Sequence, residues 1–273
     1  MDLETMMPLL MFAALALLLF SGFPVAFVLG GIGLAFGTLD WLMGGFFDPR
    51  EFFNIVSRIW GGTAENLVLT AVPMFIFMGT MLERSGVAKD LLECLEVLLR
   101  KVPGGLALSV TLMGTIMAAT NGIIGASVVM MSLLALPVML QSQYNKSLAT
   151  GTICASGTLG ILIPPSIMLV LMADLISISV GNLFLAAIFP GLLLSAFYYL
   201  YIWARCSIQP HLAPPLADDV GPESTGELWL MVLRSFIPPV LLIVLVLGSI
   251  FLGWPRPTEA AGVGAFGAIL LEI

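Results

Sequence analysis

Apolar runs long enough to cross a lipid bilayer recur from one end of this 273-residue chain to the other. That recurrence limits the fold more than any single motif does. A spanning helix needs roughly 20 consecutive apolar residues, so the chain has room for about seven or eight spans or half-spans. Hydrophobic residues make up 59% of the sequence and charged residues only 10%, whereas a soluble domain is about a quarter charged. The polar surface needed to face water on every side is missing. The expected fold class is all-α, a polytopic membrane protein.

Several functions are excluded early. The net charge is −7, and the 10 basic residues are scattered, so no nucleic-acid surface is present. Cys94, Cys154 and Cys206 form no Cys-x-x-Cys pair and no metal-ligand cluster, and read as membrane or core thiols. A single histidine, His211, rules out His-Glu-x-x-His; it falls in a polar loop, where a solvated role is expected. A Gly-x-Ser-x-Gly elbow and a phosphate loop ending in Gly-Lys-Ser/Thr are both missing. The chain therefore encodes neither an enzyme nor an ATP-driven pump, and no cofactor is expected. The acidic leader Met-Asp-Leu-Glu argues against a cleaved signal peptide, which starts positive.

Along the chain, Pro8 to Phe20 and Pro24 to Leu39 are apolar segments split by Ser21-Gly22-Phe23. They make two short helices or one kinked one. Asp48-Pro49-Arg50-Glu51 is a helix-start signature. The helix after it carries Phe52, Val56, Ile59 and Trp60 on one side and is expected to lie along the membrane surface. Asn66 to Leu82 reads as a span. Val87 to Val102 is a second amphipathic helix, with Leu91, Leu92, Leu95, Leu98, Leu99 and Val102 apolar and Lys89, Asp90, Glu93, Glu96 and Arg100 on the other face. Asn182 to Ala204 and Leu228 to Leu252 are further spans, separated by a proline-rich acidic loop over 206–227. Pro257-Thr258-Glu259 opens a last helix rich in glycine and alanine. Arg84, Lys89, Arg100, Lys101, Lys146 and Arg205 fall on one side, which the positive-inside rule makes cytoplasmic. The N-terminus is then periplasmic, with Arg50 and Arg58 as mild exceptions.

Two apolar segments are interrupted. Residues 104–140 carry Ala118-Ala119-Thr120-Asn121-Gly122-Ile123-Ile124-Gly125-Ala126-Ser127 at their centre. Small polar backbone at mid-membrane depth is tolerated only where protein encloses it, so this stretch is expected to be the tip of a re-entrant helical hairpin. Residues 146–178 are interrupted from Ser156 to Ser166, where Pro164 and Pro165 cannot donate backbone hydrogen bonds. A discontinuous helix results, able to restart at Pro164. Neighbouring interrupted helices are the best sequence pointer to a transport site. The breaks free backbone carbonyls for a cation and half-helix amides for a carboxylate, and Thr120, Asn121, Ser127, Ser156, Thr158 and Ser166 add side-chain donors. Small polar residues also serve plain helix packing; two adjacent interruptions tip the balance toward a site. Asp174, an acid inside a predicted span, divides evenly between a cation or substrate role and a structural hydrogen bond. A membrane scaffold is the competing class, and it would tolerate leucine or alanine across both breaks.

Four stretches resemble the large permease subunit of TRAP-type (tripartite) carriers, the DctM-like family. These are Ala71-Val72-Pro73-Met74-Phe75-Ile76-Phe77-Met78-Gly79, the hairpin-tip run 118–127, Gly151 to Gly160 followed by Ile163-Pro164-Pro165-Ser166, and Pro257-Thr258-Glu259-Ala260-Ala261-Gly262. The resemblance covers nearly the whole chain in the family's order. It implies a multi-pass protein of the bacterial inner membrane, a sodium-driven symporter for carboxylate-bearing solutes such as dicarboxylates. It also implies a periplasmic solute-binding protein and a small four-helix permease subunit as partners. By position, Thr120, Asn121, Gly125, Ser127, Ser156, Gly157, Thr158 and Gly160 would bind sodium, and Asn121 and Ser166 would touch substrate. A dicarboxylate carrier needing no binding protein is the nearest alternative. The family's inverted second half would begin near Pro257. The sequence thus reads as a first half over 1–256 and the start of a second over 257–273, as in a truncated product or an inactive fragment.

Overall fold

The computed structural model describes residues 3–45, 47–122, 124–214, 225–252 and 257–272. Every regular element among them is helical. The chain divides into two compact units, Met1–Asn66 and Leu67–Ile273.

In the first unit, α1 (Leu3–Phe20) and α2 (Val25–Leu42) are separate helices packed on each other. Gly22, at φ +86°, supplies the left-handed residue that ends α1. The side chain of Asp40 closes the far end of α2 by accepting from the backbone N–H of Phe47 at 3.0 Å. The Asp48 carboxylate accepts from the N–H of Arg50 at 2.9 Å, and α3 (Glu51–Ile59) follows. A turn of π-helix, Trp60–Ala64, continues it, and the Trp60 indole donates to Glu65 Oε1 at 2.7 Å. Of the expected apolar face, Val56, Ile59 and Trp60 are exposed, whereas Phe52 is half-buried with its ring 4.8 Å from that of Phe47.

The second unit holds α4 (Ala71–Arg84), α5 (Val87–Leu99), α6 (Gly105–Asn121), α7 (Ile124–Gln141), α8 (Lys146–Thr158), α9 (Ile167–Ile176), α10 (Val180–Ile208), α11 (Thr225–Phe251) and α12 (Pro257–Glu272). Four helices of the described chain are long and apolar enough to cross a membrane: Val25–Leu42, Ile124–Gln141, Val180–Ile208 and Gly226–Phe251. The span expected over Asn66–Leu82 is a helix of only 14 residues, about 21 Å long at 1.5 Å per residue. The residues before Ala71 form consecutive turns, and Thr70 Oγ1 folds back onto Leu67 O at 2.6 Å. The stretch 215–224 of the expected loop lies outside the described residues. Helix α12 packs against α4 and α11 within this unit.

Leu185, Phe189, Leu193, Phe197 and Leu200 form an exposed apolar stripe down α10, the face a bilayer would cover. Lipid gives helices no hydrophobic reason to associate, so close packing has to hold them. Gly264 is an example: a Cβ there would lie 2.6 Å from Met78 Sδ and 2.8 Å from Val246 Cγ2. Helices α4, α11 and α12 therefore meet at van der Waals contact.

Helix α5 departs from its expected pattern at two positions. Glu96, assigned to the polar face, is buried, while the apolar Leu98 is 42% exposed. Helices α6 and α11 both pack on α5, and more of its surface is covered than the hydrophobic stripe marks. Burial, with the nearby Glu93 carboxylate adding to it, pushes the Glu96 carboxyl up from 4.5 to about 7. The fold therefore favours the neutral acid. Its contribution to stability is complete below pH 4.5 and is lost as pH rises through about 7. Glu96→Gln should remove this loss. Thermal unfolding in detergent should show the variant more stable than the parent near pH 8 and equal to it near pH 4.5.

Candidate functional site

The two interruptions fold against each other. Helix α6 runs to Asn121, Gly122 takes a left-handed conformation at φ +59°, and α7 starts at Ile124. The break is tighter than the ten-residue stretch the sequence suggested, because Ala118 to Asn121 and Ile124 to Ser127 remain helical. A tight reversal needs only one residue with positive φ, and glycine provides it at no steric cost.

In the second segment α8 continues through Thr158, tightens into a 3-10 turn over Leu159–Ile161, and gives way to Leu162–Ser166. Helix α9 restarts at Ile167 rather than at Pro164. Pro164 and Pro165 are joined by a cis peptide bond, and both are buried within the break. Ser166 has the extended backbone of an N-cap, but its side chain caps nothing. Its hydroxyl donates back across the break to Ile161 O at 2.7 Å, so one carbonyl orphaned by the lost helix is satisfied.

Glycines bring the breaks together. A Cβ on Gly122 would lie 3.2 Å from the backbone nitrogen of Ile167, the first residue of α9. A Cβ on Gly160 would lie 3.7 Å from Ala118 O and 3.8 Å from the nitrogen of Gly122. The hairpin tip thus sits between the end of α8 and the start of α9. Further down, a Cβ on Gly157 would overlap Val128 Cγ2 of α7, and one on Gly114 of α6 would come within 2.7 Å of Ser156 Cβ. Helix α8 is clasped by both arms of the hairpin.

Several sequence-nominated residues line this seam. Ser127 and Ser156 are buried at 2% and 1% exposure, and Gly157, Gly160 and Ser166 are buried with them. Ser156 Oγ has no hydrogen-bond partner in the structure. Thr158 and Gly125 are instead exposed, and Thr158 Oγ1 returns to Ala155 O at 2.7 Å. Thr120 and Asn121 belong to the last turn of α6, and their side chains lie outside the described residues, as does Ile123. Asp174 lies in α9, about 12 Å along the helix from Ser166 at 1.5 Å per residue. Its backbone carbonyl accepts from Ser177 at 3.1 Å, where the helix ends.

Two features escaped the sequence reading. Gly114 is the near neighbour of Ser156, and its only signal was a small residue in an apolar helix. Thr152 is buried and its hydroxyl is unpartnered, although Thr111, Thr115 and Thr150 in similar helices each bond a carbonyl four residues back at 2.8–2.9 Å.

Fold and seam together define a multi-pass α-helical membrane protein that holds a glycine-tipped helical hairpin against a broken helix. The chain belongs to the family of the tripartite ATP-independent periplasmic transporter, DctM component, whose model matches residues 12–273. It is 35% identical over 221 residues to the C4-dicarboxylate TRAP transporter large permease protein of Pseudomonas aeruginosa, covering 80% of this chain and 49% of that protein. Its identity to the Vibrio cholerae protein of the same description is 32% over 261 residues, 94% of this chain and 53% of the relative. The ectoine TRAP transporter large permease protein of Halomonas elongata is 29% identical over 271 residues, 97% and 59%. The chain spans about half the length of these relatives. The family is one of transport permeases, not enzymes.

The contacts predict a contrast between glycines. Gly157→Leu should destabilise by about 1–3 kcal/mol, the usual range for overpacking, read as a lower midpoint of thermal unfolding in detergent. Gly125→Ala should not lower the midpoint, since a Cβ there meets nothing within 4 Å.

Proposed function

We propose that this chain is part of the large membrane subunit of a sodium-driven TRAP-type carrier. The carrier would take up carboxylate-bearing solutes handed over by a periplasmic binding protein, with a small four-helix permease subunit as its membrane partner. The observation that carries this reading is the seating of the Gly122 turn between the two ends of the broken helix. One end offers carbonyl oxygens and the other offers amides. Hydroxyl and carbonyl oxygens are the donors a hard cation prefers. The buried Ser156 hydroxyl, without a protein partner, fits that donor set, and Ser127, Gly157 and Gly160 are buried in the same seam.

In this reading Ser127, Ser156, Gly157 and Gly160, with Thr120 and Asn121 of the hairpin tip, form the sodium site of this half, and the exposed Gly125 and Thr158 stand outside it. Asn121 and Ser166 are assigned to the solute carboxylate at the amide end of α9, with Ser166 exchanging its bond to Ile161 O for one to the solute. Asp174 is left with a role at the end of its helix. The protein sits in the bacterial inner membrane with its N-terminus periplasmic, following the cytoplasmic grouping of Arg84, Lys89, Arg100, Lys101, Lys146 and Arg205. The names of the relatives favour C4-dicarboxylates within the wider class of small solutes.

The first test needs only the purified chain. Sodium, and not potassium or choline at the same ionic strength, should raise the thermal midpoint, and Ser156→Ala should abolish that rise. In the absence of sodium the alanine variant should be as stable as the parent or more so, because an unpaired buried hydroxyl is removed. A sodium response that survives in both Ser156→Ala and Ser127→Ala would sink the assignment of this seam.

The second test is uptake. The gene in its native reading frame would be expressed with a small permease subunit and a binding protein. Accumulation of labelled C4-dicarboxylate should follow an inward sodium gradient and disappear when Gly122 and Gly160 are both replaced by leucine. Equal uptake under a potassium gradient would contradict sodium coupling. Uptake without the binding protein would favour a stand-alone carrier.

A further inference from the structure

Away from the seam, α8 and α10 border an open pocket of about 450 Å³, largely apolar but carrying several polar side chains, whose chemistry the proposed transport cycle does not use. Its lining includes Asn145, Ser147, Thr152, Tyr198, Tyr201 and Arg205. It lies at the first turns of α8 and the last turns of α10, the membrane side that the basic residues mark as cytoplasmic.

Independent observations point to a ligand there. Thr152 is 4% exposed and its hydroxyl has no partner, whereas Thr150, two residues earlier, bonds Lys146 O at 2.9 Å. The hydroxyl is unpaired and sealed from solvent in the structure, which costs free energy, and a small side-chain shift at the pocket wall would let a ligand meet it. Arg205 has no carboxylate within ion-pair distance among the described residues. Its planar guanidinium suits the oxygens of a phosphate. Tyr198 and Tyr201 add phenolic groups of the kind that gather at headgroup depth. The first amides of α8 are already taken, since Asn145 Oδ1 accepts from Ser147 at 3.0 Å and Leu148 at 3.3 Å. Binding would therefore come from the side chains. No carboxylate lines the pocket among the described residues. Leu148, Ile202 and Leu212 give the same pocket an apolar wall.

We propose that this pocket binds a phosphate-bearing anion, supplied by the headgroup of an anionic phospholipid of the adjoining leaflet. Arg205 pairs with the phosphate, and the hydroxyls of Thr152, Ser147 and the tyrosines complete its hydrogen bonds. An anionic headgroup held between α8 and the membrane-spanning α10 on the basic side of a membrane protein uses the same physics as other basic lipid pockets.

Native mass spectrometry of the chain released from detergent tests this with defined lipids. Phosphatidylglycerol should be retained in preference to phosphatidylcholine. Arg205→Gln should weaken that retention about tenfold, the loss expected when one charge-assisted hydrogen bond goes. Thr152→Val keeps the shape and removes the hydroxyl. It should raise the thermal midpoint without lipid and shrink the further rise that phosphatidylglycerol gives the parent. A purely structural Thr152 would shift both conditions equally, and that result overturns its role. Equal retention of the two lipids, or retention unchanged in Arg205→Gln with the variant monodisperse, overturns the site. Protection by inorganic phosphate equal to that by phosphatidylglycerol would overturn the lipid as the source.

Discussion

A backbone amide or carbonyl without a partner costs far more in an apolar medium than in water, and the larger unit is organised around two places where the helix gives such partners up. Pro164 and Pro165 make the loss unavoidable in the segment that joins α8 to α9. The structure limits the damage locally, with Ser166 Oγ bonding Ile161 O at 2.7 Å. It then buries the break under the Gly122 turn of the hairpin. A Cβ on Gly122 would come within 3.2 Å of the Ile167 backbone nitrogen, and only a residue with neither side chain nor φ restriction allows that approach.

The packing around the seam follows from the same solvent. Helices in lipid gain nothing from hiding leucine from leucine, so contact has to be close to be useful. Gly114 against Ser156, Gly157 against Val128, and Gly264 against Met78 and Val246 are contacts of this kind. Each brings one helix to the surface of the next, and together they fix the register of α8 between α6 and α7. Polar atoms are the exception to this economy. Buried hydroxyls elsewhere turn back onto their own helix, as Ser109 and Thr111 do at 2.9 Å, or meet another helix, as Ser195 meets Thr115 at 2.6 Å. Thr152 and Ser156 do not, and they mark the headgroup pocket and the ion seam respectively.

Much of the fold was legible because its signals are local. The apolar runs announced α7, α10 and α11, and glycine with positive φ or paired proline announced both breaks. The misreadings have two origins, local turns before Ala71 and, at Glu96, neighbours distant in sequence. Asn66–Leu82 has the composition of a span but only Ala71–Arg84 is helical. Glu96 has the periodicity of a surface residue but is enclosed by helices that no local pattern reveals. The same holds within the site. Ser127, Ser156, Gly157, Gly160 and Ser166 are gathered into one buried seam, whereas Gly125 and Thr158, chosen on the same residue types, face outward.

By itself the sequence determined the solvent, the helical class and the points of interruption. These follow from hydrophobicity, from proline's missing N–H and from glycine's freedom at positive φ, which each residue carries wherever it goes. Only the tertiary structure decided which interruption meets which, because the approach of Gly122 to Ile167 and of Gly160 to Ala118 joins segments that fold as separate helices. It also decided which hydroxyls are left open. A threonine can bond its own helix or a visitor, and the choice between Thr150 and Thr152 rests on what stands opposite each of them.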